Sequence, residues 1–127
     1  MELSPFKKEI EKHFDALAPQ RRSWKSRNWY YYAAQSAFLR FLVPEGKRVL
    51  ELGCGTGEVL AALKPRFGLG IDISGRMVEF AGARFPDLVF RKGDAEDPSI
   101  WEAEGPFDYV LMVDLVGHLE DVQQALE

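Results

Sequence analysis

The spacing of apolar residues changes near residue 46 and divides the chain into two predicted regions. In the first region, apolar residues recur every three or four positions, which is the period of an amphipathic helix. In the second region, short apolar runs alternate with helical stretches and with glycines, which is typical of strands joined by crossover helices. We therefore predict an N-terminal helical cap over residues 1–45 and an α/β domain over residues 46–127.

Two helices are predicted in the cap. The first covers residues 5–17, where Ser4 is a good N-cap, and Pro19 is expected to stop it. The second covers residues 28–42 and ends before a proline. This second helix carries several aromatic side chains around its circumference, so that they cannot all face one core.

The α/β domain has room for four strands, each short and mostly apolar. The predicted strands are 48–52, 67–73, 88–91 and 107–113. The predicted helical segments are 57–63, 74–84 and 98–101, with a further helix beginning at residue 119. Strands of this kind are typical of a parallel sheet that is covered on both faces. The expected fold class is therefore α/β, a three-layer sandwich with a mostly parallel sheet and added N-terminal helices.

Three glycines at alternate positions follow the first predicted strand. Gly53, Gly55 and Gly57 would let the backbone turn tightly and let a ligand approach without a Cβ in the way. Taken alone, such a turn could serve only to join a strand to a helix. Asp72, however, ends the second predicted strand nineteen residues after Gly53. A carboxylate at that place can accept hydrogen bonds from ribose hydroxyls, so the combination predicts a nucleoside cofactor.

The spacing of the glycines indicates the kind of cofactor. The dinucleotide fingerprint is G-x-G-x-x-G, whereas this loop is G-x-G-x-G. Glu51 also lies two residues before the first glycine, and neither feature suits a pyrophosphate. Both features favour a ligand that carries its own ammonium and carboxylate, and they argue against a nicotinamide-dependent oxidoreductase.

Four ordered motifs give the sequence a family resemblance. They are VLELGCGTGEVL (49–60), GLGIDIS (68–74), GDAEDP (93–98) and FDYVLMVDLVGHLED (107–121). In these segments the chain resembles the class I S-adenosylmethionine-dependent methyltransferases, which implies a Rossmann-like fold. The family sheet has seven strands in an order that includes 3-2-1-4-5, and this chain has room for four. We therefore expect a methyltransferase fold that is incomplete at its C-terminus.

The resemblance also implies a set of cofactor-binding residues. They are Glu51, Gly53, Cys54, Gly55, Gly57, Asp72, Ile73, Met77, Asp94, Ala95, Asp114 and Leu115. Asp72 would hold the ribose, and Asp94 would accept a hydrogen bond from the adenine amino group. Asp114 would lie where cofactor and acceptor meet. For Met77 a plain core position, for Asp94 a turn and for Asp114 a helix N-cap are the alternatives.

Methyl transfer is an in-line displacement that depends mainly on proximity, alignment and a dry site. A hydroxyl acceptor needs a general base, and His118 is the best candidate, although a solvent-facing histidine at a helix start is an equal alternative. Tyr31 could close over the sulfonium with its π-face, or the ring could simply pack on the sheet edge. With one cysteine and two histidines, no metal site is expected.

Charge and composition narrow the choice of partners. Residues 1–48 hold ten Lys/Arg and five Asp/Glu, a net +5, whereas residues 49–127 hold six and fifteen, a net −9. Because the whole chain is acidic at −4, no nucleic-acid partner is expected, and the basic part is better explained as the solvated face of helices. No stretch has the roughly 20 apolar residues of a membrane span, so no membrane partner is expected. The single cysteine and the lack of a signal-peptide pattern favour the cytoplasm.

Two hypotheses of function follow. The first is an S-adenosylmethionine-dependent methyltransferase that acts on a small-molecule acceptor and releases S-adenosylhomocysteine. The alternative is a module that binds either molecule without catalysis of its own. In either case strand 107–113 would be an exposed apolar edge, which predicts self-association or pairing with a further C-terminal part of the protein.

Overall fold

The computed structural model describes residues 3–27 and 29–113. Its helices are α1 (Pro5–Arg27), α2 (Trp29–Leu42), α3 (Glu58–Ala62) and α4 (Gly75–Arg84). Its strands are β1 (Arg48–Leu52), β2 (Phe67–Asp72), β3 (Val89–Lys92) and β4 (Tyr109–Leu111). Two short 3₁₀ turns, Pro98–Ile100 and Glu102–Glu104, lie between β3 and β4. Among the described residues, no helix combines the length and the apolarity needed to cross a bilayer.

The described strands form one parallel sheet in the order β3-β2-β1-β4. The register pairs Leu50 of β1 with Leu69 of β2, so the central strands are aligned along their whole length. Because all strands run in one direction, the loops that follow them meet at one edge of the sheet. We call this edge, formed by residues 53–57, 73–74 and 93–97, the carboxyl edge.

The side chains of β1 alternate between two cores, as the pleat of a strand requires. One core consists of Val43, Val49, Leu60 and Leu63, and it joins α2 and α3 to the sheet. The other core consists of Leu50, Leu52, Leu69 and Ile71, with Ile100 and Trp101 of the 3₁₀ region packed against it. The sheet is thus covered on both faces, and the predicted α/β class with a parallel sheet is confirmed.

Helix α1 differs from its prediction because it does not stop at Pro19. The helix runs on to Arg27 with Pro19 inside it. A proline inside a helix removes one hydrogen bond and costs about 3 kcal/mol. Pro19 is exposed, so water can replace the missing partner. The turns before Pro19 are also held by contacts with the sheet domain, which the local sequence pattern did not include.

Strand β4 is shorter than the predicted 107–113: it ends at Leu111, and it starts late because the side chain of Asp108 takes part in the pairing. The Asp108 N–H donates to the Arg48 carbonyl over 2.8 Å, and the Arg48 N–H donates to Asp108 Oδ2 over 2.8 Å. A carboxylate thus replaces a backbone acceptor at the start of the strand. The other strand predictions agree with the structure to within one residue at each end, and the predicted helix from residue 119 lies outside the described residues.

Helix α1 lies against the carboxyl edge through three polar residues on one side. Lys7, Glu11 and Asp15 follow one another at intervals of four, so they share a face of the helix. Lys7 pairs with the loop after β3, Glu11 pairs with Lys92, and Asp15 accepts a hydrogen bond from Ser74 Oγ. We call Lys7, Glu11 and Asp15 the polar stripe of α1.

Gly57→Ala tests how the glycine loop packs on the sheet domain. Gly57 has φ +89°, and a Cβ there would lie 2.9 Å from the Phe90 ring. A left-handed residue with a side chain costs about 1–2 kcal/mol and overpacking about 1–3 kcal/mol, so we expect a loss of about 2–5 kcal/mol in unfolding free energy. Gly46→Ala is the control, since its φ is +77° but nothing lies within 4 Å. Urea unfolding that shows equal losses for both variants would contradict the close contact with Phe90.

Candidate cofactor site

The loop after β1 is built from glycines in the left-handed region. Gly53, Gly55 and Gly57 have φ of 79°, 56° and 89°, which side chains other than glycine rarely adopt. The loop ends at Gly57, which is the N-cap residue of α3. The alternate glycines in the sequence therefore correspond to three backbone turns that carry the chain from β1 over the carboxyl edge into α3.

The loop is held against the end of β2 by its own amides. The N–H groups of Gly53 and Cys54 both donate to the Ile71 carbonyl, over 2.7 and 3.0 Å. The Gly57 N–H donates to the Cys54 carbonyl over 3.1 Å. These three amides are engaged inside the protein, so they give the loop its shape rather than serving as free donors for a ligand.

Asp72 joins three segments of the carboxyl edge. Its Oδ2 accepts the Gly55 N–H over 2.8 Å, and its Oδ1 accepts the Ser74 N–H over 2.9 Å. Its carbonyl also accepts the Gly93 N–H over 2.9 Å. The residue is only 9% exposed, and each oxygen of an ionised carboxylate can accept more than one hydrogen bond. Asp72 therefore fixes the glycine loop and the start of α4.

Glu51 and Cys54 are both buried next to this loop. Glu51 is 2% exposed and lies in β1 between Gly70 and Leu111 of its neighbouring strands. Cys54 Sγ is 2.9 Å from the place where a Cβ on Gly70 would lie. The small residue at 70 therefore makes room for Cys54, which has a packing role beneath the loop.

A second carboxylate, Asp94, lies in the loop after β3. Its Oδ1 accepts the Lys7 Nζ over 2.9 Å and the Glu96 N–H over 3.0 Å. Lys7 Nζ also pairs with Glu96 Oε1 at 2.8 Å. The sequence interpretation included Asp94 but missed Lys7, although the charged residues at intervals of four in α1 were a signal that this face packs on something.

The Lys7 ammonium is stabilised in its charged form. Burial lowers the pKa of Lys7, but the hydrogen bonds to Glu96 and Asp94 and their negative charges raise it more, so the net shift is upward from 10.5. Because the folded pKa is the higher one, the stabilisation is complete below the unfolded pKa and is lost only as pH rises through the folded value. At neutral pH, Lys7 is therefore protonated and positively charged beside Asp94.

The remaining described candidates surround the same edge. Ile73 is half-buried and directly follows Asp72, whereas Met77 in α4 is 2% exposed. Ala95 packs at the margin of the second core, beside the loop that contains Asp94. Met77 is thus as buried as a core residue, and all three lie in segments that adjoin the two carboxylates.

Some predicted residues lie outside the described structure. Asp114, Leu115 and His118 follow the last described residue, and the side chain of Tyr31 in α2 is also outside it. Within the described residues, no group of three His, Cys, Asp or Glu side chains could hold a metal ion.

The described arrangement fits the cofactor that the motifs imply. The glycine loop follows β1, Asp72 ends β2 and Asp94 follows β3, so all three lie on one edge of the sheet. Asp72 and Asp94 supply carboxylate acceptors, which match the hydroxyl and amino donors of an adenosine group. The site therefore offers acceptors at two separate positions beside a loop in which Gly53, Gly55 and Gly57 carry no side chain.

Sequence comparison identifies the family that the four motifs resemble. A family model described as a methyltransferase domain matches residues 49–127. A trans-aconitate 2-methyltransferase of Deinococcus radiodurans is 42% identical over 83 residues, covering 60% of this chain and 30% of that protein. A dTDP-4-amino-2,3,4,6-tetradeoxy-D-glucose N,N-dimethyltransferase of Saccharopolyspora spinosa is 31% identical over 100 residues, covering 76% and 37%. The chain thus spans about a third of the length of these relatives.

Solved structures show the same fold. The chain is similar to an S-adenosylmethionine-dependent methyltransferase of Thermotoga maritima, a possible histamine N-methyltransferase, with a TM-score of 0.73 and 28% identity over 92% of this chain and 53% of that one. It is also similar to a Haloferax volcanii structure, a complex of the Trm112 methyltransferase activator and a putative methyltransferase, with a TM-score of 0.69, 31% identity and coverage of 89% and 52%. This chain therefore belongs to the class I methyltransferase family, whose methyl donor is S-adenosylmethionine.

Proposed function

We propose that this protein transfers a methyl group from S-adenosylmethionine to a small-molecule acceptor. The observation that supports this most is Asp72, whose carboxylate is fixed by Gly55 and Ser74 at the carboxyl end of β2. A carboxylate held by two amides there is prepared to accept ribose hydroxyls without further rearrangement. The family membership supports the reaction class, and the activity of the whole protein is part of the proposal.

In this proposal the protein binds S-adenosylmethionine and the acceptor and aligns them for methyl transfer. When bound, S-adenosylmethionine supplies a methyl group already activated on a sulfonium. We assign the ribose to Asp72, the adenine amino group to Asp94 and the methionine part to the loop that begins at Gly53. Ile73 and Met77 would flank the adenine, since they adjoin Asp72 in sequence and α4 begins there.

The acceptor side of the site is proposed from sequence alone. Asp114 and Leu115 would border both the cofactor and the acceptor, and His118 would remove a proton where the acceptor is a hydroxyl. Tyr31 would approach the sulfonium from α2. A small-molecule acceptor is supported by relatives named for trans-aconitate and dTDP-amino sugars, and the acidic net charge of −4 disfavours nucleic acid. We place the protein in the cytoplasm because its only cysteine, Cys54, suits a reducing compartment.

Asp72→Asn is expected to weaken binding of S-adenosylhomocysteine at least tenfold, which is about 1.4 kcal/mol. The amide retains one acceptor oxygen, so one of the two fixed hydrogen bonds and part of the ribose acceptor are lost. Asp87→Asn is the control, because Asp87 is an exposed turn residue after α4. Titration calorimetry measures both variants against the wild type, and a wild-type chain that binds no S-adenosylhomocysteine would contradict the proposal.

Amide hydrogen exchange on Asp72→Asn shows whether the loop responds as the geometry requires. The Gly55 or the Ser74 amide should exchange faster, whereas the Gly53 amide, which donates to Ile71, should keep its protection. Unchanged exchange at both Gly55 and Ser74 would mean that Asp72 does not hold the loop.

Turnover separates the enzyme from the module that only binds. S-adenosylhomocysteine formation should be measured with a panel of carboxylate, amine and hydroxyl acceptors, using a chain that extends to the length of the relatives. His118→Ala should lower turnover for hydroxyl acceptors by about 10²–10⁴ and leave amine acceptors nearly unchanged. Cofactor binding without transfer to any acceptor in the longer chain would favour the binding module.

We also propose that the outer edge of β4 pairs with a second copy of this chain. β4 ends the described sheet on one side, and Val110 in it is 51% exposed. An apolar strand at a sheet edge favours such pairing. Light scattering after size exclusion should give the mass of a dimer or larger for residues 1–127, and a monomer would contradict pairing between copies.

A further inference from the structure

Lys7 is a buried lysine with two carboxylates as partners. It is 3% exposed, and its Nζ lies 2.9 Å from Asp94 Oδ1 and 2.8 Å from Glu96 Oε1. Lysine is rarely buried unless its charge is paired. The pairing crosses from α1 to the loop after β3, a separation of 87 residues in sequence.

The two oxygens of Asp94 have different surroundings. Oδ1 accepts both the Lys7 Nζ and the Glu96 N–H, so its lone pairs are used. Within the described residues, Oδ2 accepts no hydrogen bond. Lys7 therefore fixes the carboxylate through one oxygen and leaves the other as an acceptor.

We propose that Lys7 is a positioning residue for the purine end of the cofactor, and that by holding Asp94 through Oδ1 it sets a preference for a 6-amino over a 6-oxo purine. This inference rests on the proposed function, because it takes Asp94 as the residue that meets the base. A 6-amino group donates to Oδ2, whereas a 6-oxo group brings a second acceptor against a carboxylate. Sites built on such a hydrogen bond reject the analogue that lacks the donor.

Removing Lys7 would take away one of the two hydrogen bonds that hold the Asp94 carboxylate. Asp94 and Glu96 would then lack the cation that lies between them, and their like charges would repel. Asp94 Oδ1 would keep only the Glu96 N–H, so the carboxylate would turn more freely and Oδ2 would be held less firmly toward the base. The expected result is weaker binding of the adenine and, in particular, a smaller difference between the affinities for the 6-amino and the 6-oxo purine.

Helix α1 has other contacts that should keep it in place without Lys7. Glu11 pairs with Lys92, and Asp15 accepts from Ser74 Oγ at the start of α4. Ala18, farther along the helix, is 2% exposed. A loss of purine preference in a Lys7 variant can therefore be distinguished from loss of the helix, provided that its circular dichroism is unchanged.

Calorimetric titration with S-adenosylhomocysteine and its 6-oxo analogue S-inosylhomocysteine tests the inference. The wild type should bind the adenine form at least tenfold more tightly than the inosine form. Lys7→Met should reduce this ratio at least fivefold, whereas Lys12→Met should leave it unchanged, because Lys12 is an exposed lysine on the same helix. Lys7→Arg, which keeps the charge, should restore part of the ratio.

Each result has one meaning. A wild type that binds neither ligand defeats the proposed function itself. A wild type that prefers adenine, with the same preference in folded Lys7→Met, overturns the inference and leaves the proposed function intact. If Lys7→Met does not fold, Lys7→Gln takes its place in the same titration: an unchanged purine preference in that variant overturns the inference, and a preference reduced at least fivefold supports it.

Discussion

The carboxylate of Asp72 fixes the relative positions of the segments that form the candidate site. One oxygen takes the Gly55 N–H and the other takes the Ser74 N–H, and both bonds lie at the end of a buried central strand. Because the side chain is 9% exposed, neither bond is easily exchanged for one to water. The glycine loop, the start of α4 and the loop that begins at Gly93 all take their positions from this residue. A ligand that binds Asp72 therefore contacts three segments whose relative positions are already fixed.

The N-terminal helix α1 brings charged side chains to the carboxyl edge. The polar stripe of α1 crosses the loops after β2 and β3, and two of its three residues meet partners of opposite charge. Lys7 of the basic first part pairs with Asp94 and Glu96 of the acidic sheet domain, whereas Glu11 pairs with Lys92 in the opposite sense. Lys7 is the buried example, and it places a positive charge next to one of the two carboxylates proposed to bind the cofactor. The helix thus supplies an ion-pair partner to a carboxylate of the proposed site.

Much of the fold could be predicted because its signals are local. The strands are apolar runs bounded by glycine or proline, and Ser74 is an N-cap that the structure confirms, with its side chain accepting from Met77 N–H. The features that were missed depend on contacts between distant residues. Pro19 remains inside α1 because the helix docks on the sheet domain, and β4 starts late because Asp108 pairs with Arg48 across 60 residues. Lys7 was missed for the same reason, since nothing near it in sequence identifies Asp94 as its partner.

The central claim is that the cofactor binds at the carboxyl edge around Asp72. Backbone amide shifts recorded by NMR during a titration with S-adenosylhomocysteine test it most directly. The largest changes should fall on residues 53–57, 72–74 and 93–96, whereas the opposite edge around Arg48 and Asp108 should change little. Saturable changes confined to that opposite edge, with none at the glycine loop, would contradict the account.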